Sequence, residues 1–166
     1  MQLIAEYYED DRDPYNYKFI IVKEKLRGLS LEQKVKDMTK LELACIINQY
    51  AECLKSLDPP NFQIKPTTLT PGKIRFVDDK FIKLCDYTTT KNSMEEFGLC
   101  LYKLLTTSQN HRNNPKLALT SKLCLPPIFE YPFHELMKKL IQSQDVSRRI
   151  TPDQIKKQQF LQMYLP

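Results

Sequence analysis

The chain has 166 residues, of which 42% are hydrophobic and 27% charged, a composition that is ordinary for one globular domain with a sizeable core. No run of 18 apolar residues occurs, and the first residues lack a basic segment followed by an apolar stretch. We therefore expect no transmembrane helix, no secretory signal and no membrane partner. The formal net charge of +5 is a mild excess. It allows an acidic protein partner and makes nucleic acid binding an unlikely function.

Cysteine, histidine and glycine are too few or too scattered for several kinds of site. The five cysteines are odd in number and show no Cys-x-x-Cys spacing, so we expect free thiols in a reducing, cytoplasmic compartment. Two histidines are too few for a histidine-based metal site. Gly28, Gly72 and Gly98 lie far apart, which excludes a glycine-rich loop for nucleotide phosphates. We expect no cofactor.

Apolar spacing, strand-forming composition and turn residues predict the elements in chain order. They are strands at about residues 2–8 and 18–23, helices at 30–38 and 39–57, strands at 73–76 and 81–84, and helices at 94–105, 133–141 and 151–159. Capping boxes, in which a hydroxyl is followed three residues later by Glu or Gln, mark helix starts at Ser30, Thr39 and Thr151. Residues 107–127 are polar and then proline-marked, which predicts a loop. The helices at 40–57 and 94–106 should pack together at the centre.

Several segments, in this order, resemble a protein kinase domain entered partway through. They are residues 21–31 (hinge and following helix), 61–69 (catalytic loop), 73–87 (hairpin and metal-binding turn), 97–106 (central C-lobe helix) and 140–151 (link between the last two helices). The resemblance extends from about residue 2 to residue 161. It implies an α+β, mainly α-helical fold like a kinase C-lobe with a few short β-hairpins. Residues 1–166 then form one domain, with remnant N-lobe strands and hinge at 1–28 and the C-lobe at 29–166.

The departures from the kinase pattern decide what the resemblance implies about chemistry. Kinases use a catalytic-loop aspartate as proton acceptor and an asparagine as metal ligand. The matching residues are Gln63 and Thr68, which are poor substitutes for those roles. Lys65 matches the catalytic-loop lysine and Asp86 the metal-binding aspartate, but one carboxylate is too little for a two-ion site. The alternative for both is a residue that braces a turn.

The resemblance also implies that most of the kinase N-lobe and the activation segment have no counterpart in this sequence. We therefore expect that the chain is not an enzyme and binds no nucleotide. It is expected to act as a pseudokinase-like module that binds a protein partner, as a scaffold or structural subunit of a larger complex. The alternative is a minimal or partner-completed protein serine/threonine kinase that binds ATP. A helical interaction domain with a coincidental match remains a third interpretation.

Two groups of residues are candidates for binding that partner. Strands left without an N-lobe expose an edge that a partner strand or subunit could cover, although they could also fold back on the C-lobe. The tyrosines in this region are Tyr7, Tyr8, Tyr15 and Tyr17. Basic pairs late in the chain could face an acidic partner, or could simply be solvated helix faces. These pairs are Lys138, Lys139, Arg148, Arg149, Lys156 and Lys157.

Overall fold

The computed structural model describes residues 3–9, 18–24, 28–57, 69–77, 81–84, 93–141 and 150–165. Over these residues the chain is mainly helical, with four short strands in two antiparallel hairpins, so the predicted mainly helical α+β class is confirmed. The strands are β1 (Leu3–Glu9), β2 (Lys18–Glu24), β3 (Ile74–Val77) and β4 (Phe81–Leu84). The α-helices are α1 (Leu31–Lys34), α2 (Lys40–Leu57), α3 (Ser93–Leu105), α4 (Gln109–Asn113), α5 (Tyr131–Ile141) and α6 (Gln159–Tyr164). Short 3₁₀ turns are Val35–Asp37, Pro71–Lys73, Pro115–Leu119 and Pro152–Lys157.

Both predicted hairpins are present. In the first, Glu6 of β1 lies opposite Ile21 of β2. In the second, Phe76 of β3 lies opposite Ile82 of β4. The second hairpin is tied to α2, because the Ile82 N–H donates to Oε1 of Gln49 at 2.8 Å.

Capping boxes begin α1 and α2 as the sequence predicts. The Ser30 N–H donates to Oε1 of Gln33 at 2.8 Å, and the Gln33 N–H donates back to Oγ of Ser30 at 3.3 Å. The Thr39 N–H donates to Oε2 of Glu42 at 2.8 Å, and the Glu42 N–H donates to Oγ1 of Thr39 at 3.2 Å. Each box satisfies N–H groups that have no partner within the helix, which is why the sequence locates these starts so well.

The predicted last helix is correct at its start and wrong in its type. The Thr151 N–H donates to Oε1 of Gln154 at 3.1 Å, as a capping box requires. A 3₁₀ turn follows, however, and extended backbone at Gln158 (φ −77°, ψ 135°) separates it from α6. Ile155 and Phe160 are both buried, and a spacing of five residues would put them on different faces of one helix. The break allows both side chains to reach the core.

The predicted loop at residues 107–127 is also partly wrong, because α4 and a 3₁₀ turn occupy its first half. Ser108 caps α4: its Oγ accepts the His111 N–H at 3.4 Å. His111 is the buried residue of α4, and Ala118 is the buried residue of the 3₁₀ turn. One buried residue in each short element does not produce an apolar periodicity, so the sequence gives no helical signal here.

Helix α3 packs at the centre of the core. The rings of Tyr50 on α2 and Phe97 on α3 stack with centroids 3.9 Å apart and planes 5° from parallel. On its other side α3 approaches α5, where Gly98 lies so close that a Cβ atom there would be 2.9 Å from Cβ of Leu140. The predicted packing of α2 against α3 is confirmed. The buried face of α2 carries the apolar residues that its spacing predicts: Leu43, Ile46, Ile47, Tyr50 and Leu54.

Gly28 supports a stability prediction with a control in the same chain. Its φ is +131°, and an added Cβ would lie 2.0 Å from the Phe76 carbonyl oxygen. We expect Gly28→Ala to lower the free energy of unfolding by more than about 2 kcal/mol, measured by urea denaturation. Gly72→Ala is the control, because nothing lies within 4 Å of a Cβ there, and it should cost less than about 0.5 kcal/mol. Equal losses in the two variants would contradict this account.

Candidate protein-interaction surface

Many of the sequence-predicted site residues lie outside the described residues. They are Gln63, Lys65, Thr68, Asp86, Tyr15, Tyr17, Arg148 and Arg149. Tyr7 and Tyr8 lie in β1, where they are paired with Ile20 and Phe19 of β2. The remaining predicted residues are lysines near the ends of α5 and of the last 3₁₀ turn: Lys138, Lys139, Lys156 and Lys157.

Three of these lysines bind partners within the chain. Nζ of Lys138 lies 2.7 Å from Oε1 of Glu135. The hydrogen bond and charge of Glu135 raise the pKa of Lys138, and the same contact lowers the pKa of Glu135. Lys139 donates to Oε1 of Gln158 at 2.8 Å. Much of the predicted basic surface is therefore engaged with neighbouring side chains on the exposed face.

Lys156 belongs to a cluster of charges that joins α2 to the last 3₁₀ turn. Nζ of Lys156 lies 3.0 Å from Oε1 of Glu52, and Nζ of Lys55 lies 3.3 Å from the same oxygen. Lys55 also lies 3.0 Å from Oδ1 of Asp153. Hydrogen bonds from Lys156 and then Lys55 lower the pKa of Glu52. The cluster holds two elements together, which is a structural role.

Glu52 gives a prediction about pH. Because its pKa is lowered on folding, its contribution to stability is present above the pKa of the unfolded carboxyl and is lost as pH falls through the folded-state pKa. Glu52→Gln should lower the free energy of unfolding at neutral pH and low salt by less than about 1 kcal/mol, since the side chain is 44% exposed and screened by water. The difference from wild type should disappear in acid.

The control for this change is Glu32→Gln. Glu32 is exposed on α1 and has no ion pair among the residues that the structure describes. Denaturation in urea at several pH values compares the two variants. A loss of stability in Glu52→Gln that is as large at acid pH as at neutral pH would show that the ion pairs are not its cause.

A chain of hydrogen bonds, buried at Tyr102 and His111, links α3 to α4 and to the segment that follows. Oη of Tyr102 lies 2.5 Å from Nδ1 of His111 and accepts the Cys124 N–H at 2.9 Å. On the other side of the imidazole, Nε2 of His111 lies 3.3 Å from Oγ of Ser121. The Ser121 hydroxyl donates to the Leu117 carbonyl at 2.6 Å.

The positions of the protons decide whether this serine and histidine could act in nucleophilic catalysis, where a histidine takes the serine proton. The Ser121 hydroxyl has one proton and donates it to the Leu117 carbonyl, so in the contact with His111 the proton is on Nε2 and donates to the Ser121 oxygen. Nδ1 of the neutral imidazole then has no proton and accepts the Tyr102 O–H. In this arrangement His111 is a donor to the serine. The chain of hydrogen bonds braces the backbone at Cys124 against α3.

Tyr102→Phe tests the brace. Without the hydroxyl, the Cys124 N–H and Nδ1 of His111 lose their partner inside the protein, which should lower the free energy of unfolding by about 1–3 kcal/mol. Tyr131→Phe is the matched control, because Tyr131 is 70% exposed and should lose less than about 0.5 kcal/mol. Thermal or urea unfolding gives both values. Unchanged stability in Tyr102→Phe would rule out a bracing role.

The ends of three helices meet at a different part of the surface. Lys40, at the start of α2, forms an ion pair with Glu130, which directly precedes α5. The hydrogen bond to Glu130 raises the pKa of Lys40, and Tyr164 at the end of α6 raises it further. These three residues therefore lie together, although Lys40 and Glu130 are 90 positions apart in the chain.

Four large, exposed apolar side chains belong to residues that are next to this meeting point in the chain. Each lies one or two residues from Lys40, Glu130 or Tyr164, which places their Cα atoms within about 8 Å of one of the three. They are Leu41 (50% exposed), Ile128 (69%), Tyr131 (70%) and Met163 (49%). We name these four residues the α2–α5–α6 surface.

A row of aromatic rings joins α5 to α6 next to this surface. Phe129 and Phe133 stack with centroids 4.4 Å apart, Phe133 and Phe160 are 4.8 Å apart, and Phe160 and Tyr164 are 5.2 Å apart. Phe133 and Phe160 are buried. This packed aromatic base holds the start of α5 against α6, and aromatic pairs of this kind stabilise beyond the area that they bury.

Tyr131 connects the surface to one of the predicted lysines. Its hydroxyl contributes to the lowered pKa of Glu135, which is the ion-pair partner of Lys138. Exposed apolar side chains beside a charged rim are typical of protein interfaces, where tyrosine and methionine are enriched. The arrangement can bind an apolar side chain of a partner, with Lys40, Glu130 and Lys138 at the rim.

The α2–α5–α6 surface was not among the sites predicted from the sequence. A signal was present in Leu41, which does not share the spacing of the buried residues from Leu43 to Leu54, and in Ile128, an apolar residue directly after Pro126-Pro127. Neither signal shows that the two residues are neighbours. Their proximity depends on the tertiary packing of α2 against the last helices.

No described helix is long and apolar enough to cross a membrane. Four of the five cysteines lie in the described residues, and all four are free thiols: Cys45, Cys53, Cys100 and Cys124. Comparison of the sequence with models of known protein families gives no match, and comparison with curated proteins gives none either.

Proposed function

We propose that this chain is a non-catalytic protein-interaction module with a kinase C-lobe-like fold, which serves as a scaffold or structural subunit of a larger complex. The observation that carries the proposal is the α2–α5–α6 surface, where Leu41, Ile128, Tyr131 and Met163 are 49–70% exposed around one ion pair. Leaving large apolar side chains in water is unfavourable, and a cluster of them marks a surface that a partner covers.

The aromatic base of this surface supports tight recognition. Phe133 and Phe160 hold Phe129 and Tyr164 in place, so the backbone next to Ile128 and Met163 needs little further ordering when a partner binds. Tyr131 offers both a ring and a hydroxyl, a combination common among residues that dominate binding energy. The rim charges of Lys40 and Glu130 would orient the partner more than they would add affinity.

The kinase-like part of the proposal rests on the sequence resemblance. Packing supports it, because that interpretation requires α2 and α3 to touch at the centre, and Tyr50 stacks on Phe97 there. The close approach of Gly98 to Leu140 further supports a central helix between α2 and α5.

The non-catalytic part rests on residue chemistry. Gln63 stands where the resemblance requires a carboxylate that accepts a proton, and Thr68 where it requires an asparagine that holds a metal ion. An amide cannot act as a general base at neutral pH.

A reducing, cytoplasmic location is part of the proposal. The free thiols of Cys45, Cys53, Cys100 and Cys124 support it, because disulfides are rare in reducing compartments. The Cys100 thiol is buried and donates to the Leu69 carbonyl at 3.2 Å, and it packs as a small apolar group.

Site-specific photocrosslinking tests the interaction surface. A photoreactive benzoyl-phenylalanine replaces Tyr131, and in a matched protein it replaces Phe81, an aromatic residue of similar exposure (61%) on the β3–β4 hairpin. Both proteins are irradiated in extract from the source cells. We expect a discrete adduct at position 131 and none at position 81, because only position 131 lies at the proposed interface.

A second comparison distinguishes binding from chance contact. Ile128→Ser should reduce the yield of the adduct at position 131 several-fold, whereas Leu117→Ser, at an exposed apolar residue outside the surface, should leave it unchanged. Equal adducts at positions 81 and 131 would overturn the surface. A magnesium-dependent rise in thermal stability with ATP that is lost in Asp86→Ala would overturn the non-catalytic part instead.

A further inference from the structure

The β1–β2 hairpin has an unusual position among the described elements. Within the described residues its sheet contains two strands of seven residues each, and no other described element makes an extended contact with either strand. A two-stranded hairpin alone is marginally stable in water, and each outer edge offers unpaired N–H and C=O groups. A further strand on one edge would satisfy these groups.

The sequence of β2 is complementary to itself in the antiparallel direction. It reads Lys18-Phe19-Ile20-Ile21-Val22-Lys23-Glu24, with opposite charges at its two ends and Ile21 at its middle. When two copies are aligned antiparallel about Ile21, Lys18 of each lies opposite Glu24 of the other, and Ile20 lies opposite Val22. Opposite charges and β-branched residues are favourable cross-strand pairs.

We infer that β2 pairs with β2 of a second copy of this chain about a two-fold axis at Ile21, which forms a four-stranded antiparallel sheet in a homodimer. A two-fold axis is the commonest symmetry of soluble oligomers, and it lets one strand serve as both halves of the contact. This inference concerns a surface and a partner that the proposed function does not use.

The register of the hairpin supports this arrangement. Tyr7 is paired with Ile20, and Ala5 with Val22. In the four-stranded sheet the row across all strands would be Tyr7, Ile20, then Val22 and Ala5 of the second copy. Two such rows, related by the axis, place apolar residues side by side on one face of the sheet, which three or more strands need for independent stability.

The outer strand explains why the pairing uses β2 and stops at two copies. The middle residue of β1 is Glu6, so pairing of β1 with itself in the same way would place two carboxylates opposite each other. Like charges directly opposite destabilise a strand pair, and charges on edge strands prevent further strand addition. When β2 is paired with β2 of the second copy, the two outer strands of the sheet are the β1 strands, and each has Glu6 at its middle. No further strand is expected to add to these edges, so the assembly stops at a dimer.

The first experiment measures the mass of the full chain by light scattering at about 100 µM, because pairing of two short strands buries less area than a standard interface. We expect a dimer for wild type and a monomer for Ile21→Lys. Within its own hairpin the lysine at position 21 is paired with Glu6. In the dimer it would lie opposite the same lysine of the second copy, and the two like charges would repel each other. Tyr8→Lys is the control: it introduces the same charge on the same face of the outer strand, and the dimer should persist.

A charge exchange tests the register itself. Glu24→Lys places like charges against Lys18 of the second copy, while its neighbour within the hairpin is Leu3. The reverse protein is Glu9→Lys/Lys18→Glu, in which the paired positions 9 and 18 keep opposite charges. Each protein alone should dimerise about tenfold more weakly than wild type, and an equimolar mixture should regain wild-type affinity as a heterodimer.

Each outcome decides the inference. A monomeric wild-type chain at this concentration overturns it. A dimer that persists in Ile21→Lys, or a mixture of the charge-exchanged proteins that remains monomeric, assigns the contact to a different surface or register and also overturns it. Circular dichroism of Ile21→Lys is the control for folding. It should show the same helix content as wild type, so that loss of the dimer cannot be attributed to unfolding. The photocrosslinking test at position 131 concerns a different surface, so its result does not depend on whether the dimer forms.

Discussion

Burial of α3 on two sides is the constraint on which the rest of the structure depends. On one side the ring of Phe97 stacks on Tyr50 at 3.9 Å, and on the other Gly98 allows the backbone to approach Leu140. A large residue at position 98 would push α5 away, and a small one at position 97 would leave a cavity against α2. The side chains of α3 thus limit how closely α2 and α5 can each pack against it. The ion pair of Lys40 with Glu130 joins the start of α2 to the start of α5 and lies at the α2–α5–α6 surface.

Local features of the fold were predictable, and features that depend on distant residues were not. The capping boxes at Ser30, Thr39 and Thr151 involve residues three positions apart, so the sequence locates them correctly. The helical segment after Ser108 was missed because its stability comes from the bond between His111 and Tyr102 on another helix. The α2–α5–α6 surface was missed for the same reason, since Leu41 and Ile128 become neighbours only through tertiary packing.

The contacts of the lysines in the predicted basic surface could not be predicted from the sequence. A sequence shows where lysines occur but does not show what they contact. Lys138 and Lys156 form ion pairs with Glu135 and Glu52, so neighbouring carboxylates neutralise part of the positive charge. Those ion pairs are exposed and individually weak. In the proposed function, partner recognition would therefore depend less on the late lysines than on exposed apolar side chains that no sequence motif marks.

The two proposed contacts differ in chemistry, and this difference has a consequence for binding. The α2–α5–α6 surface would recognise a partner through side chains, whereas β2 would pair through the backbone with its own copy. A homodimer through β2 would carry two copies of the surface around Tyr131. A partner that presents two sites would then bind with an effective concentration set by the spacing of the two surfaces. Its apparent affinity would exceed that for a single copy without any new contact. A modest homodimer could in this way strengthen a scaffold whose individual binding surface is small.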